Sequence, residues 1–279
     1  MRYFYIFSIF LALVGCNIVT EPPPPERENP IDPKSPGYQP PKAEIISGPS
    51  NNSIVTEHTV TFKWRGNQAD NLMSFSYKLD NQPWSEWRSV KEVTFTYLDE
   101  GKHTFMVKAK YINNIEQQEP TQVNFTVDAV KGPALMFVPR KVEVRPNSSF
   151  DTEVYIEEAS DFAGVKIIIS YNTSIFDVEN VEVYKDSKSI LLKNGGNIID
   201  FVSVDKGVGR VEINLAVAGG NPTNVNGTGP IGKIRFKVLP NVSSGTSSEI
   251  KFDNSSTMRN SDNQAVQIKE LVPEVVKVF

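Results

Sequence analysis

Apolar and polar residues alternate along most of the chain after Lys42, with the two-residue period of side chains on a β-strand. In the first half, the alternation covers residues 60–64, 75–79, 93–97, 105–111 and 123–127. Turn-forming pieces such as Asp80-Asn81 and Asp99-Glu100-Gly101 separate these stretches. Short strands joined by frequent turns predict a small antiparallel β-sandwich over residues 43–128.

The alternation resumes after Pro133, with longer apolar stretches. The predicted strands cover residues 150–156, 165–171, 176–183, 198–204, 211–217, 231–238, 250–252 and 275–278. Because no segment has the 3.6-residue period of an amphipathic helix, we expect a second all-β unit, a jelly-roll sandwich over residues 133–279. Residues 165–169 are apolar except for Lys166, which predicts a strand that is nearly buried on both faces.

The charge balance excludes one class of partner. The chain has 29 Lys and Arg against 33 Asp and Glu, a net charge of -4, so it lacks the basic excess that nucleic acid requires. The single cysteine cannot form a disulfide within the chain, and two histidines are too few for an ordinary histidine-based metal site.

Residues 1–16 predict an exported protein. Arg2 precedes a mainly apolar run over residues 3–14, which is too short to span a membrane but suits a secretory signal peptide. The following Leu13-Val14-Gly15-Cys16 resembles the lipobox of bacterial lipoproteins. That resemblance implies acylation of Cys16 and anchoring of the protein by lipid at the cell surface or outer membrane. The alternative is an ordinary signal peptide that ends near a cysteine.

Residues 17–42 form the predicted linker, and the stretch 20–42 is rich in proline. Proline fixes φ and removes backbone donors, which favours an extended spacer over a folded core. At roughly 3.1 Å per residue, such a spacer would reach up to roughly 70 Å. The alternative is a disordered leader with no spacing role.

The sequence contains no visible catalytic machinery. Glu157, Glu158 and Asp161 cluster between strands, and Asp99-Glu100 lies in a turn; we interpret both groups as solvated loop charges. Nucleophile elbows, phosphate loops and metal-ligand motifs are absent from the sequence. We therefore predict that the protein is not an enzyme and has no catalytic residues, no metal site and no cofactor.

Trp84 and Trp87 are the residues that most resemble a sugar-stacking platform. In an antiparallel sandwich, however, aromatic residues more often pack in the core or at corners, and we favour packing here. His103, at the start of a predicted strand, is expected to be half-exposed.

Two family resemblances accompany these patterns. The stretches 77–84 and 101–109 make residues 43–128 similar to bacterial surface modules of the fibronectin type III or Ig-like kind. Residues 164–178, 209–215 and 227–238 occur in the order and spacing of a cohesin module, which they resemble over about 135–270. This resemblance implies a jelly-roll that presents one sheet face to the calcium-loaded dockerin of a secreted enzyme.

By rough alignment with cohesins, that binding face includes Gly164, Lys166, Asn214, Val217 and Gly220. At the positions of Gly164 and Lys166 the familiar cohesins carry Asn and Asp, so Lys166 reverses the local charge. A partner of different specificity is implied, because charge complementarity selects partners. The alternative is that Lys166 is only a solvated strand residue.

The leading hypothesis is a lipid-anchored cell-surface scaffold protein that docks dockerin-bearing enzymes in polysaccharide degradation. A second hypothesis is a carbohydrate-binding surface lipoprotein, for which the candidate exposed aromatics are Tyr155, Tyr171, Tyr184 and Phe201. A third is a structural envelope protein in which both sandwiches are spacers. An enzyme is a distant fourth.

Overall fold

The computed structural model describes residues 29–219 and 225–279. Of these, residues 29–39 belong to one unit and residues 40–279 to another. In the first unit, residues 29–38 form successive turns, closed by Asp32 N–H donating to Asn29 O, Ser35 N–H to Asp32 O and Tyr38 N–H to Ser35 O. This part of the predicted linker is therefore turned, whereas its proline content favoured an extended chain. The lipidation candidate Cys16 and the rest of residues 1–28 lie outside the described residues.

The first sandwich has two antiparallel-dominated sheets built from seven strands. The strands are β1 (Ala43–Ser47), β2 (Ser53–Val55), β3 (Val60–Gly66), β4 (Met73–Leu79), β5 (Glu92–Phe95), β6 (Gly101–Tyr111) and β7 (Thr121–Val127). One sheet has the order β1-β3-β5 and the other β2-β7-β6-β4. Aromatic rings fill the space between them, with Phe62 stacked on Phe105 at 4.0 Å between ring centroids.

The second sandwich, which we call the head, begins at β8 (Ala134–Val138) and β9 (Lys141–Val144). Its other strands are β10 (Ser149–Phe162), β11 (Gly164–Ser170), β12 (Phe176–Val183), β13 (Asn197–Asp205), β14 (Arg210–Ala218), β15 (Val225–Val238), β16 (Ser247–Phe252), β17 (Thr257–Arg259), β18 (Ala265–Val266), β19 (Glu270–Val272) and β20 (Glu274–Val278). One sheet has the order β12-β15-β10-β8-β19 and the other β13-β14-β11-β16-β20-β9, with β17 pairing β11 and β18. The predicted all-β class, an Ig-like sandwich followed by a jelly-roll, is confirmed.

The prediction that residues 165–169 form a strand nearly buried on both faces is confirmed in β11, where Lys166 is the one exposed residue of the five. Val165, Ile167 and Ile169 point into the core, while Ile168 on the opposite side is only 4% exposed. The hydroxyl of Ser256 accepts a hydrogen bond from Ile168 N–H at 3.0 Å. In the described ranges, no helix is long and apolar enough to cross a membrane.

The acidic turn Asp99-Glu100 joins the two sandwiches, which corrects its interpretation as a pair of solvated loop charges. Glu100 accepts hydrogen bonds from Ala129 N–H at 2.9 Å and Val130 N–H at 3.1 Å, and Asp99 accepts one from Arg140 N–H at 2.7 Å. Burial raises the pKa of both carboxyl groups. Hydrogen bonds to charged acceptors contribute about 1.5–3 kcal/mol each, so this turn fixes the chain that leads into the head.

Two other predictions about polar residues also need correction. His103 is 9% exposed and bonds Asp80 through Nδ1 and Asp99 O through Nε2, both at 2.8 Å. Burial alone would lower the pKa of His103, but these hydrogen bonds outweigh it and raise the pKa. Glu157 is also buried, and it accepts a hydrogen bond from the Thr228 hydroxyl at 2.8 Å.

Trp84 and Trp87 are half-buried on the outer side of β4 and β6. Ser85 N–H donates to Tyr77 O, so their segment runs along the edge of β4. The Lys108 ammonium lies 4.9 Å from the Trp84 ring and 5.0 Å from the Trp87 ring, and Lys110 lies 4.4 Å from Trp87. The rings and cations stack in alternation, an arrangement that favours a packing role.

Glu274 is a fully buried carboxyl group at the start of β20. Burial raises its pKa to about 8; the Thr152 hydroxyl opposes that shift. Neither carboxyl oxygen has a partner of good hydrogen-bond geometry among the described residues. The folded head therefore keeps a proton at neutral pH that the unfolded chain releases near the ordinary pKa of 4.5.

Because the folded pKa of Glu274 is raised, its contribution to stability is fully present at low pH and is lost as pH rises toward 8. We expect Glu274→Gln to remove this loss. Between about pH 5 and about pH 7.5, the wild-type protein should lose about 3 kcal/mol relative to the variant. Chemical denaturation of the full chain, followed by circular dichroism, measures the difference. Glu249→Gln, at an exposed site on β16, is the control, and parallel pH curves for Glu274→Gln and wild type would contradict the assignment.

Trp87→Ala should lower the free energy of unfolding by about 1–2 kcal/mol through the loss of two ring–ammonium contacts. Trp87→Phe keeps an aromatic face and should lower the free energy of unfolding by less than Trp87→Ala does. Neither change should alter retention on insoluble polysaccharides. Lost retention with unchanged stability would instead assign this tryptophan to sugar binding.

Candidate functional site

A groove of about 520 Å³ lies on the outer face of the head, across β13, β14, β11 and β17. Its residues come from strands that are distant in sequence and adjacent in the sheet. Gly164 and Ala216 lie at the middle, Ile199 and Phe201 lie on one side, and Thr257 and Arg259 lie on the other.

The register of β14 determines which side chains share this face. Asn214 lies opposite Phe201 on β13 and opposite Lys166 on β11. Ala216 lies opposite Ile199 and Gly164 in the same way. Because side chains alternate along a strand, these residues project outward while Val211, Ile213 and Leu215 of β14 project into the core.

The structure brings three of the five predicted face residues together. Gly164, Lys166 and Asn214 all line the groove. Val217 borders the groove, but its side chain packs against the core, since it continues the inward-facing alternation of β14. Gly220 lies outside the described residues.

Glu212 organises the charges beside the groove. Its carboxylate lies 3.3 Å from Lys166 Nζ and 3.1 Å from Arg210 Nη2, and it accepts a hydrogen bond from Asn214 Nδ2 at 3.1 Å. The hydrogen bonds from Asn214 and Lys166 lower the pKa of Glu212, which stays ionised. Lys166 is therefore an exposed but paired cation, and the charge that it introduces is partly neutralised within the sheet.

Sequence reasoning named only one residue of the two groove walls, Phe201, and it named Phe201 as a candidate for sugar stacking. Ile199 and Phe201 are each 62% exposed, although β13 also places Ile198 and Val202 against the core. The sequence does contain a sign of this apolar wall, because residues 198–202 are apolar on both sides of the strand apart from Asp200. Arg259, on the opposite wall, lies on a strand too short for the alternation pattern to reveal.

The aromatic residues proposed for sugar stacking do not form an exposed strip. Tyr171 and Tyr184 are 7% and 6% exposed, and Tyr155 is half-buried on the other sheet. The Tyr184 hydroxyl donates a hydrogen bond to the Glu153 carboxylate at 2.6 Å. Of these four candidates, only Phe201 presents its ring to solvent on the groove face.

Metal-ligating side chains do not converge near the groove. Over residues 29–219 and 225–279, no three His, Cys, Asp or Glu side chains are placed to hold a metal ion. The groove presents apolar, amide and cationic side chains. These groups suit contact with the surface of a binding partner.

Two family models match the chain. The Cohesin domain model matches residues 136–277, just over half of the sequence, and the Y_Y_Y domain model matches residues 67–128. No curated protein matches the chain.

Several solved cohesin structures are similar to the head. The sixth cohesin of scaffoldin B from Acetivibrio cellulolyticus, solved in complex with a dockerin, is 15% identical, covers 53% of this chain and 100% of its own, with a TM-score of 0.43. A type I cohesin–dockerin complex from Clostridium thermocellum is 16% identical, with 52% and 98% coverage and a TM-score of 0.42. A non-cellulosomal cohesin from the archaeon Archaeoglobus fulgidus is 16% identical, with 52% and 90% coverage and a TM-score of 0.41.

The strands of the head, their order in two sheets and the family match over residues 136–277 agree on one assignment. The chain belongs to the cohesin domain family.

Proposed function

We propose that this protein is a surface receptor whose head docks the dockerin module of a secreted partner. The observation that carries the proposal is the groove, which contains Gly164, Lys166 and Asn214 in a chain of the cohesin family. Cohesin domains are binding modules without catalytic function, and relatives from Acetivibrio cellulolyticus and Clostridium thermocellum are known in complex with dockerins. The groove has an apolar wall and polar margins, as protein–protein interfaces do. The apolar wall can be buried by a partner, and the polar margins can orient that partner.

The segments that precede the head would anchor it to a membrane and hold it away from that membrane. Residues 13–16 resemble a lipobox, so Cys16 would carry the lipid, and two or more acyl chains suffice to hold a protein on a membrane. Residues 17–42 and the first sandwich would separate the head from that membrane. Capture of dockerin-bearing hydrolases at this distance would serve polysaccharide degradation at the cell surface.

Direct carbohydrate binding has less support. Sugar-binding sheet faces need several exposed rings at matching heights, and Phe201 is the only one of the four candidates that the groove face presents to solvent. A purely structural role gives no reason for two large apolar side chains to remain exposed on one strand.

The docking proposal predicts calcium-dependent binding of dockerin modules to the purified full chain. Ala216→Arg, which places a long charged side chain at the middle of the groove, should weaken binding by at least about tenfold. Asn180→Arg, at an exposed site on β12 of the opposite sheet, should leave affinity unchanged. Biolayer interferometry against a panel of recombinant dockerins, with and without a calcium chelator, measures both.

Equal loss of affinity in Ala216→Arg and Asn180→Arg would move the docking surface away from the groove. Retention of the chain on polysaccharide, with no dockerin bound, would transfer the head to the carbohydrate-binding class.

The anchoring proposal predicts that Cys16→Ser moves the protein from the membrane fraction to the soluble fraction and abolishes incorporation of labelled fatty acid. Gly15→Ala keeps a small residue before the cysteine and should behave as wild type. Because Cys16 is the only cysteine in the chain, no other thiol can accept the label. Membrane association that survives Cys16→Ser would exclude lipid as the anchor.

A further inference from the structure

The two walls of the groove differ in chemistry. On β13, Ile199 and Phe201 project outward two residues apart, each 62% exposed. The core does not need them, because Ile198 and Val202 on the other side of the strand already pack against it. Neighbouring large apolar side chains that stay exposed mark a surface that another molecule covers.

The opposite wall is cationic. Arg259 lies across from Gly164, is exposed, and donates from Nη1 to Asn263 O at 2.8 Å. Within the described ranges, no carboxylate lies within ion-pair distance of its guanidinium. The other charges of the groove are paired: Lys166 with Glu212 at 3.3 Å, and Asp200 with Lys185 at 2.7 Å. Arg259 is therefore the charge that this surface leaves for a partner to neutralise.

The floor between the walls is low because Gly164 and Ala216 have the smallest side chains. Four neighbouring strands, from β13 to β17, span roughly 14 Å at roughly 4.8 Å between strands. An α-helix with its side chains is roughly 10–12 Å wide, so one helix fits between the walls. A helix can also present an apolar stripe and a charged stripe on adjacent sides, which matches the two walls.

We infer that the partner's docking helix carries an apolar ridge that packs on Ile199 and Phe201 and a carboxylate that pairs with Arg259. This inference rests on the proposed docking function and specifies which partners the groove accepts. Apolar contact supplies affinity by burial, and the ion pair rejects helices with a basic or neutral residue at that position. Specificity then comes from one apolar wall and one unpaired cation, with Lys166 already occupied by Glu212.

The test is a phage-displayed library of dockerin modules in which the exposed helix positions are randomised. The library is selected in calcium against the immobilised full chain. We expect the selected modules to share large apolar residues on one side of a helix and an Asp or Glu on the adjacent side. Phe201→Ser and Arg259→Glu should each weaken the binding of selected modules by about tenfold or more. Replacing the selected acid by Lys should restore binding to Arg259→Glu.

Matched controls remove one group of the same type outside the groove. Val208→Ser removes an apolar side chain that is 69% exposed in the turn between β13 and β14, and Arg145→Glu reverses a charge beyond the end of β9. Both controls should bind like wild type. Because Phe201 and Arg259 are exposed, their variants should keep the wild-type circular dichroism spectrum and melting temperature.

The outcomes separate the two proposals. If calcium-loaded modules are selected without an apolar and acidic signature, and bind Phe201→Ser and Arg259→Glu as well as wild type, the inference fails while the docking function stands. If no module binds the wild-type chain in calcium, the docking function fails and this inference fails with it.

Discussion

The pairing of β14 with both β11 and β13 is the constraint on which the candidate site depends. A shift of one residue in either register would turn Asn214 and Ala216 into the core and bring Ile213 and Leu215 to the surface. Burial of Val211, Ile213 and Leu215 prevents such a shift, because the shift would expose all three apolar side chains to solvent at once. The core of the head therefore determines the arrangement of its outer face, even though no core residue needs to contact a partner.

Much of the fold was predictable because strand formation depends on local alternation. The long strands appear in the sequence as period-two patterns, and the two sandwiches follow from their number and turns. The acidic turn at Asp99 and Glu100 was not predictable, since its hydrogen bonds reach the segment between the sandwiches and Arg140 of the head, which is 41 residues away from Asp99. A polar turn has the same sequence pattern whether solvent or a neighbouring backbone surrounds it. The burial of Glu274 and His103 could not be predicted from the sequence for the same reason.

The candidate site was predictable only in part. Resemblance to cohesins indicated Gly164, Lys166 and Asn214, which the register brings to one groove, and Val217, which borders the groove while its side chain packs against the core. The apolar wall was visible in residues 198–202, which are apolar except for Asp200, yet the sequence does not tell which of the two apolar sides of the strand faces solvent. That choice is made by pairing with β14. The pairing of Lys166 with Glu212 is likewise a property of the sheet, because the two residues are 46 positions apart in sequence and 3.3 Å apart in space.

The first and last strands of the head lie side by side. β9 pairs with β20 in parallel, and β8 pairs with β19 in parallel, so each edge joins the beginning of the domain to its end. The chain therefore cannot lose its final strands without also unpairing strands near the beginning of the domain. The strand order that closes this sandwich makes the two ends of the head depend on each other for their hydrogen bonds.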